Sequence, residues 1–171
     1  MKIVYMCFGR AHSSVVASAI HLGYLDPQRK PTVQDLIKLP LFDTSEASDI
    51  GIPKFVGHDQ EGCEVYILGL NGCRIPGQSA IESLAAILEV PSWEVLIVET
   101  LGAIGWLAKL GGFLSRQLHF VTIGRPIVAH GIIRCYGQLC ELVESVKREL
   151  SIIAAQHKET RQETGNPDHR R

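Results

Sequence analysis

The chain has 171 residues, 46% of them hydrophobic and 20% charged, and a net charge of -1. That is the composition of one globular domain with a full core. It supplies no global field for nucleic acid or an anionic membrane, and aromatics at 6% leave few rings for a base-stacking surface.

The start of the chain does not read as a signal peptide, because Lys2 precedes only a short apolar run with no cleavage-type small residues. No stretch reaches the roughly 18–20 apolar residues of a membrane span. The nearest, residues 101–114, contains Lys109 and four glycines and reads as a buried helix. Cys7, Cys63, Cys73, Cys135 and Cys140 form no CxxC pair. They are expected as reduced thiols in the cytoplasm, and no paired His/Cys spacing calls for a metal.

The apolar run Lys2–Cys7 predicts a strand, and Ser13–Leu22 a helix whose apolar face is Val15, Val16, Ala19, Ile20 and Leu22, with Gly23 as its stop. A short helix is expected over Val33–Leu39, capped by Thr32 with Asp35 in the first turn. Residues 43–53 read as an exposed loop. Lys54–His58 and Cys63–Leu68 flank a turn with Gly62 and predict a hairpin at the sheet edge.

Further along, Gln78–Leu88 predicts a helix with Ile81, Leu84, Ala85 and Leu88 facing the core, and Trp93–Val98 a central strand buried on both faces. A glycine-rich helix is expected over Ala103–Leu114. A strand is expected over His119–Ile123, broken by Gly124-Arg125-Pro126 and continuing through Ile127–Ala129. The last helix is expected over Tyr136–Gln156, and the polar residues beyond it as a tail. The alternation predicts a three-layer α/β fold: a mostly parallel sheet, helices on both faces and an antiparallel edge hairpin. One domain fills residues 1–157, and 158–171 form a polar disordered tail.

In such folds ligands gather beyond the carboxyl ends of the strands, where Cys7–Ser14, Glu99–Gly102 and Gly124–His130 are expected to converge. The strand-loop-helix Cys7-Phe8-Gly9-Arg10-Ala11-His12-Ser13-Ser14 turns the free amides of a helix start toward an anion. Gly9, Ser13, Ser14 and Arg125 are the anion-binding candidates. Cys7 is the candidate nucleophile, its thiolate favoured by the helix start and by nearby His12 and Arg10. The alternative for Cys7 is a small buried residue ending a strand.

His12 reads either as an acid/base group or as a hydrogen-bonded loop residue, since no carboxylate neighbours it in sequence. His21 reads as structural and His58 as exposed. Arg125 suits a planar anion or an ion pair with Glu99. Glu99, Thr100 and His130 are candidates for the rim, with Ser115-Arg116 a weaker one.

A Walker loop needs a lysine that is missing here, and the dinucleotide GxGxxG is absent too, so no nucleotide cofactor is expected. The loop resembles that of low-molecular-weight tyrosine phosphatases, in which a Cys is followed by five residues, an Arg and then Ser or Thr. Cys7 and Ser14 fit, but Ser13 holds the arginine position. It also resembles the B component of sugar phosphotransferase systems, where a Cys ending strand one accepts a phosphoryl group.

Across residues 1–148, several blocks resemble a family of short bacterial proteins known only as a domain of unknown function and found mainly in spore-forming Gram-positive bacteria. The blocks are Met1–Tyr5 with Cys7, Ala11–Val16, Ala19–Gly23, Leu39–Asp43, Gly111–Arg116 and Ile123–Val128. Arg10 stands where the family favours a small residue, and Met6 where a His is common. The resemblance names no reaction.

The sequence therefore predicts a cytoplasmic protein that binds a phosphorylated or otherwise anionic small molecule. The chemistry open to it is Cys-based phosphoryl transfer or phosphate-ester hydrolysis. The alternative is a non-enzymatic regulatory protein that binds a protein partner or a second copy of itself, with sporulation as a candidate setting.

Overall fold

The computed structural model describes residues 1–102 and 121–164, with side chains over 1–102 and 125–156. The helix expected over Ala103–Leu114, the pair Ser115-Arg116 and the start of the strand expected from His119 lie outside the described residues.

Four strands form one sheet: β1 (Lys2–Cys7), β2 (Lys54–His58), β3 (Glu64–Gly69) and β4 (Val95–Glu99), in the order β2-β3-β1-β4. β1 pairs in parallel with β3 and β4, and β2 runs antiparallel to β3 at the edge, as the hairpin signal predicts. The fold is α/β. The Trp93–Val98 run is not central, however. Among the described residues β4 borders only β1, and its side chains are mostly half-buried. A short apolar run has the same appearance at the edge of a sheet as in the middle.

β1 takes the centre instead. Ile3, Tyr5 and Cys7 point to one face with Val65 and Ile67 of β3, and all five are nearly inaccessible. Over that face lies α1 (Ser13–His21), every residue of which is buried. α5 (Tyr136–Thr164) covers α1, setting Leu139, Val143, Val146 and Leu150 into the core at helical spacing. Each fully buried aliphatic side chain contributes about 1.5–3 kcal/mol, so the loop between β1 and α1 is fastened at both ends to the most stable part of the molecule. α5 runs on to Thr164, so the first residues of the expected tail are helical.

The connections β1 to β3 and β3 to β4 step in opposite directions along the sheet, so right-handed crossovers place α1 and α3 (Arg74–Ile87) on opposite faces. α3 starts before the expected Gln78. Pro76 sits in its first turn, where no amide is needed. Its expected core face is not buried among the described residues: Leu84 and Leu88 are 58% and 72% exposed.

The strand expected through Ile123 and Ile127–Ala129 is a helix, α4 (Val121–Arg134), with Pro126 inside it. The β-branched residues there favour a strand, but Val128, Ala129 and Ile132 are buried at helical spacing, and α4 packs on the short helix α2 (Val33–Ile37). Tertiary burial overrides local propensity here. The carbonyl of Pro126 accepts a bond from His130 Nδ1 at 2.8 Å. α2 itself begins as expected, with Thr32 and Asp35 forming a reciprocal cap. Among the described residues no helix is long and apolar enough to cross a membrane.

Candidate functional site

Beyond the carboxyl end of β1, residues 8–12 turn the chain into α1 around the sulfur of Cys7. Sγ accepts the Arg10 backbone N–H at 3.1 Å and lies 3.0 Å from Ser14 Oγ. Cys7 is 3% exposed. Arg10 has a left-handed backbone, φ 56°, which costs a residue with a side chain about 1–2 kcal/mol. Its side chain holds that turn in place, since the guanidinium meets Asp49 at 2.7 Å and donates to the Ile52 carbonyl at 2.9 Å. The Glu46 amide, and beside it the Arg10 guanidinium, hold the Asp49 carboxyl below its ordinary range. Arg10 is therefore a brace for the loop, and its charge is committed to Asp49.

The loop lies hard against the end of β3. A Cβ at Gly69 would come within 2.8 Å of the Arg10 nitrogen and the Gly9 carbonyl carbon, so only glycine admits this approach. On its other side the loop is tied by Ser45 Oγ, which donates to the Gly9 carbonyl.

The hydroxyls of Ser13 and Ser14 are committed differently. Thr100 Oγ1 donates to the Met6 carbonyl at 3.0 Å, so the 2.8 Å contact between Ser13 and Thr100 must be a donation from Ser13. The Ser13 hydroxyl proton is thus directed to Thr100, the residue after β4. Ser13 offers its backbone amide. The first backbone bond of α1 runs from Val16 to His12, leaving the amides of Ser13, Ser14 and Val15 unbonded at the helix start.

A third element completes the site. Asp43 follows α2, is left-handed at φ 57°, and donates its amide to the Ala11 carbonyl at 2.9 Å. Its Oδ1 is 2.9 Å from His12 Nε2, and its Oδ2 accepts Arg125 Nε at 3.3 Å. Arg125 also donates to the Asp43 carbonyl, at 3.3 Å. Burial pushes the Asp43 carboxyl up, but the His12 hydrogen bond and the charges of His12 and Arg125 outweigh it and hold the group below its ordinary range. Phe42 meets the His12 ring edge-on at 5.5 Å.

A family model for proteins of unknown function, DUF3189, matches residues 2–148. The chain belongs to this family. No curated protein and no solved structure matches it.

Within this DUF3189 domain, Cys7, Gly9, His12, Ser13, Ser14 and Thr100 come together at the loop. Arg125 joins them one residue removed, through Asp43. Glu99 does not pair with Arg125. It makes an ion pair with Arg74 at the start of α3. His130 is exposed and bonds the Pro126 carbonyl within its own helix. Asp43 was not among the sequence candidates for the site. The available signal was the lone His12, a loop imidazole in need of a partner that sequence proximity does not supply.

Proposed function

We propose that the Cys7–Ser14 loop binds the phosphoryl group of a small phosphorylated molecule and that Cys7 is its nucleophile. The observation that carries this reading is a sulfur enclosed by its own loop, with the Arg10 amide donating to it, the Ser14 hydroxyl in hydrogen-bond contact and the open amides of α1 beside it. A thiolate is well served by two donors, and a bound oxyanion by the amides. Ser14 supports the reading further, since it stands where the resembling phosphatase loops place the residue that serves their cysteine.

In the proposed reaction the Cys7 thiolate attacks phosphorus, the S–P bond forms and the ester P–O bond breaks. The departing oxygen takes a proton from His12. Water then attacks phosphorus and gives its proton to His12, the S–P bond breaks, and inorganic phosphate leaves. With an acceptor other than water, the same sequence is phosphoryl transfer. Arg125, held through Asp43, supplies a cation from α4.

The proposed setting is the cytoplasm of a bacterium, a reading supported by the free state of Cys7, Cys63, Cys73 and Cys140. A small anion, with neither nucleic acid nor membrane, is the proposed partner. The test is hydrolysis of phosphate monoesters by the wild type and by Cys7→Ser, with mass spectrometry for a phosphorylated Cys7. Loss of turnover in Cys7→Ser, together with a phosphorylated peptide, supports the reading. Turnover that survives the substitution, or none on any monoester together with no effect of phosphate on the melting temperature, overturns it.

One observation favours a second reading, a regulatory protein that binds a partner. Ile75, Leu84, Ile87 and Leu88 of α3 and its end are all more than half exposed.

A further inference from the structure

We propose that Asp43 is the positioning residue of this site, fixing which nitrogen of His12 carries the proton and so presenting Nδ1 to the phosphoryl group. The inference rests on the reading of the Cys7 loop given above.

Donors and acceptors around Asp43 decide the tautomer. Asp43 meets a donor on each oxygen, His12 Nε2 on Oδ1 and Arg125 Nε on Oδ2. Arg125 can only donate, and an ionised carboxylate can only accept. His12 Nε2 must therefore carry its proton, and Nδ1 is the nitrogen left to exchange a proton with a ligand. Nδ1 is a base while the ring is neutral and an acid once it is protonated. The carboxyl is held in its ionised form by the same two partners, against the pull of burial. The backbone is built for the task as well. The left-handed Asp43 bonds the Ala11 carbonyl next to His12, so the carboxylate and the imidazole are tied by main chain and side chain together.

The decisive variant is Asp43→Asn. Asparagine tolerates φ 57°, so the backbone is undisturbed. It has one acceptor where aspartate has two. Arg125 Nε can only donate, so the amide oxygen faces it and the NH2 turns toward His12. Nε2 then has to accept, and the proton moves to Nδ1. One changed atom thus reverses the tautomer of a ring two bonds away.

The test uses the full chain. Long-range proton–nitrogen NMR of the His12 ring is expected to show the Nε2–H form in wild type and the Nδ1–H form in Asp43→Asn. Turnover of phenyl phosphate, whose leaving group needs a proton, is expected to fall at least about tenfold more than turnover of 4-nitrophenyl phosphate, whose leaving group does not. A His12 already in the Nδ1–H form in wild type overturns the proposal, and so does an unchanged ratio between the two esters. If wild type hydrolyses no monoester and phosphate leaves its melting temperature unchanged, the phosphoryl-transfer reading fails. The ring spectra still decide whether Asp43 sets the tautomer, and an unmoved tautomer in the variant overturns that claim independently.

Discussion

Ser13 and Ser14 are adjacent and equally buried, yet their hydroxyls serve opposite ends. Ser13 locks the helix start to β4 through Thr100, while Ser14 faces the sulfur. The two alanine variants should therefore separate. If Cys7 is the proposed thiolate nucleophile, Ser14→Ala removes a donor to it, worth about 1.5–3 kcal/mol, and should slow Cys7 alkylation by about tenfold or more with little change in the unfolding midpoint. Ser13→Ala leaves the Thr100 hydroxyl without its donor and should lower the unfolding free energy by about 1 kcal/mol while sparing the reactivity of Cys7. Peptide-resolved alkylation rates and urea melts on both variants check the split. Equal effects on both readouts would mean that Ser14, too, is only a structural bond.

Among the elements, the edge hairpin is tied to the core by a buried relay apart from the loop. Tyr5 Oη is 2.7 Å from His21 Nδ1, and His21 Nε2 is 3.0 Å from Asp59 Oδ2. Asp59 also accepts the amides of Glu61 and Cys63, organising the turn between β2 and β3. Burial holds the His21 pKa below its ordinary 6.5, against the opposing pull of Asp59 and with help from the Lys147 charge. The unfolded chain then binds a proton that the folded chain resists. The stability from this histidine is fully present above 6.5 and is lost as pH falls from there toward the lowered folded value.

Asp59 acts lower on the scale. Burial pushes its carboxyl up, the bonds from His21 and the turn amides outweigh that, and its contribution is lost only as pH falls through a value below 3.8. The urea midpoint should therefore decline between about pH 7 and about pH 5, with a shallower slope in His21→Gln. A slope that the substitution leaves unchanged would remove His21 as its source. Gly69 offers a second element-scale prediction. A methyl group at the end of β3 collides with backbone, which does not give way easily, so Gly69→Ala should destabilise by about 1–3 kcal/mol and displace the Arg10 turn. Amide shifts confined to β3 would contradict the close approach.

Taken as a whole, the molecule is legible in its sequence wherever one local signal suffices. The apolar run of β1, the Thr32 cap and the Gly62 turn are read correctly because each depends on a few adjacent residues. α4 is misread because Val121, Thr122 and Ile123 speak for a strand and Pro126 against a helix, while the burial of Val128, Ala129 and Ile132 depends on packing that sequence does not display. The site divides in the same way. The Cys7–Ser14 loop is contiguous and visible, whereas Asp43 approaches His12 from 31 residues away and Arg125 approaches Asp43 from 82. Family membership adds order among these blocks without naming a reaction.

The central claim is that Cys7 is a nucleophile inside an anion cradle, and peptide-resolved alkylation tests it most directly. Cys73, exposed at the start of α3, serves as the reference thiol in the same tube. Anionic iodoacetate should be favoured over neutral iodoacetamide more strongly at Cys7 than at Cys73, and inorganic phosphate should protect Cys7 while leaving Cys73 untouched. If Cys7 shows no preference for the anionic reagent and no protection by phosphate, or reacts only when the protein unfolds, it is a core cysteine and the account is wrong.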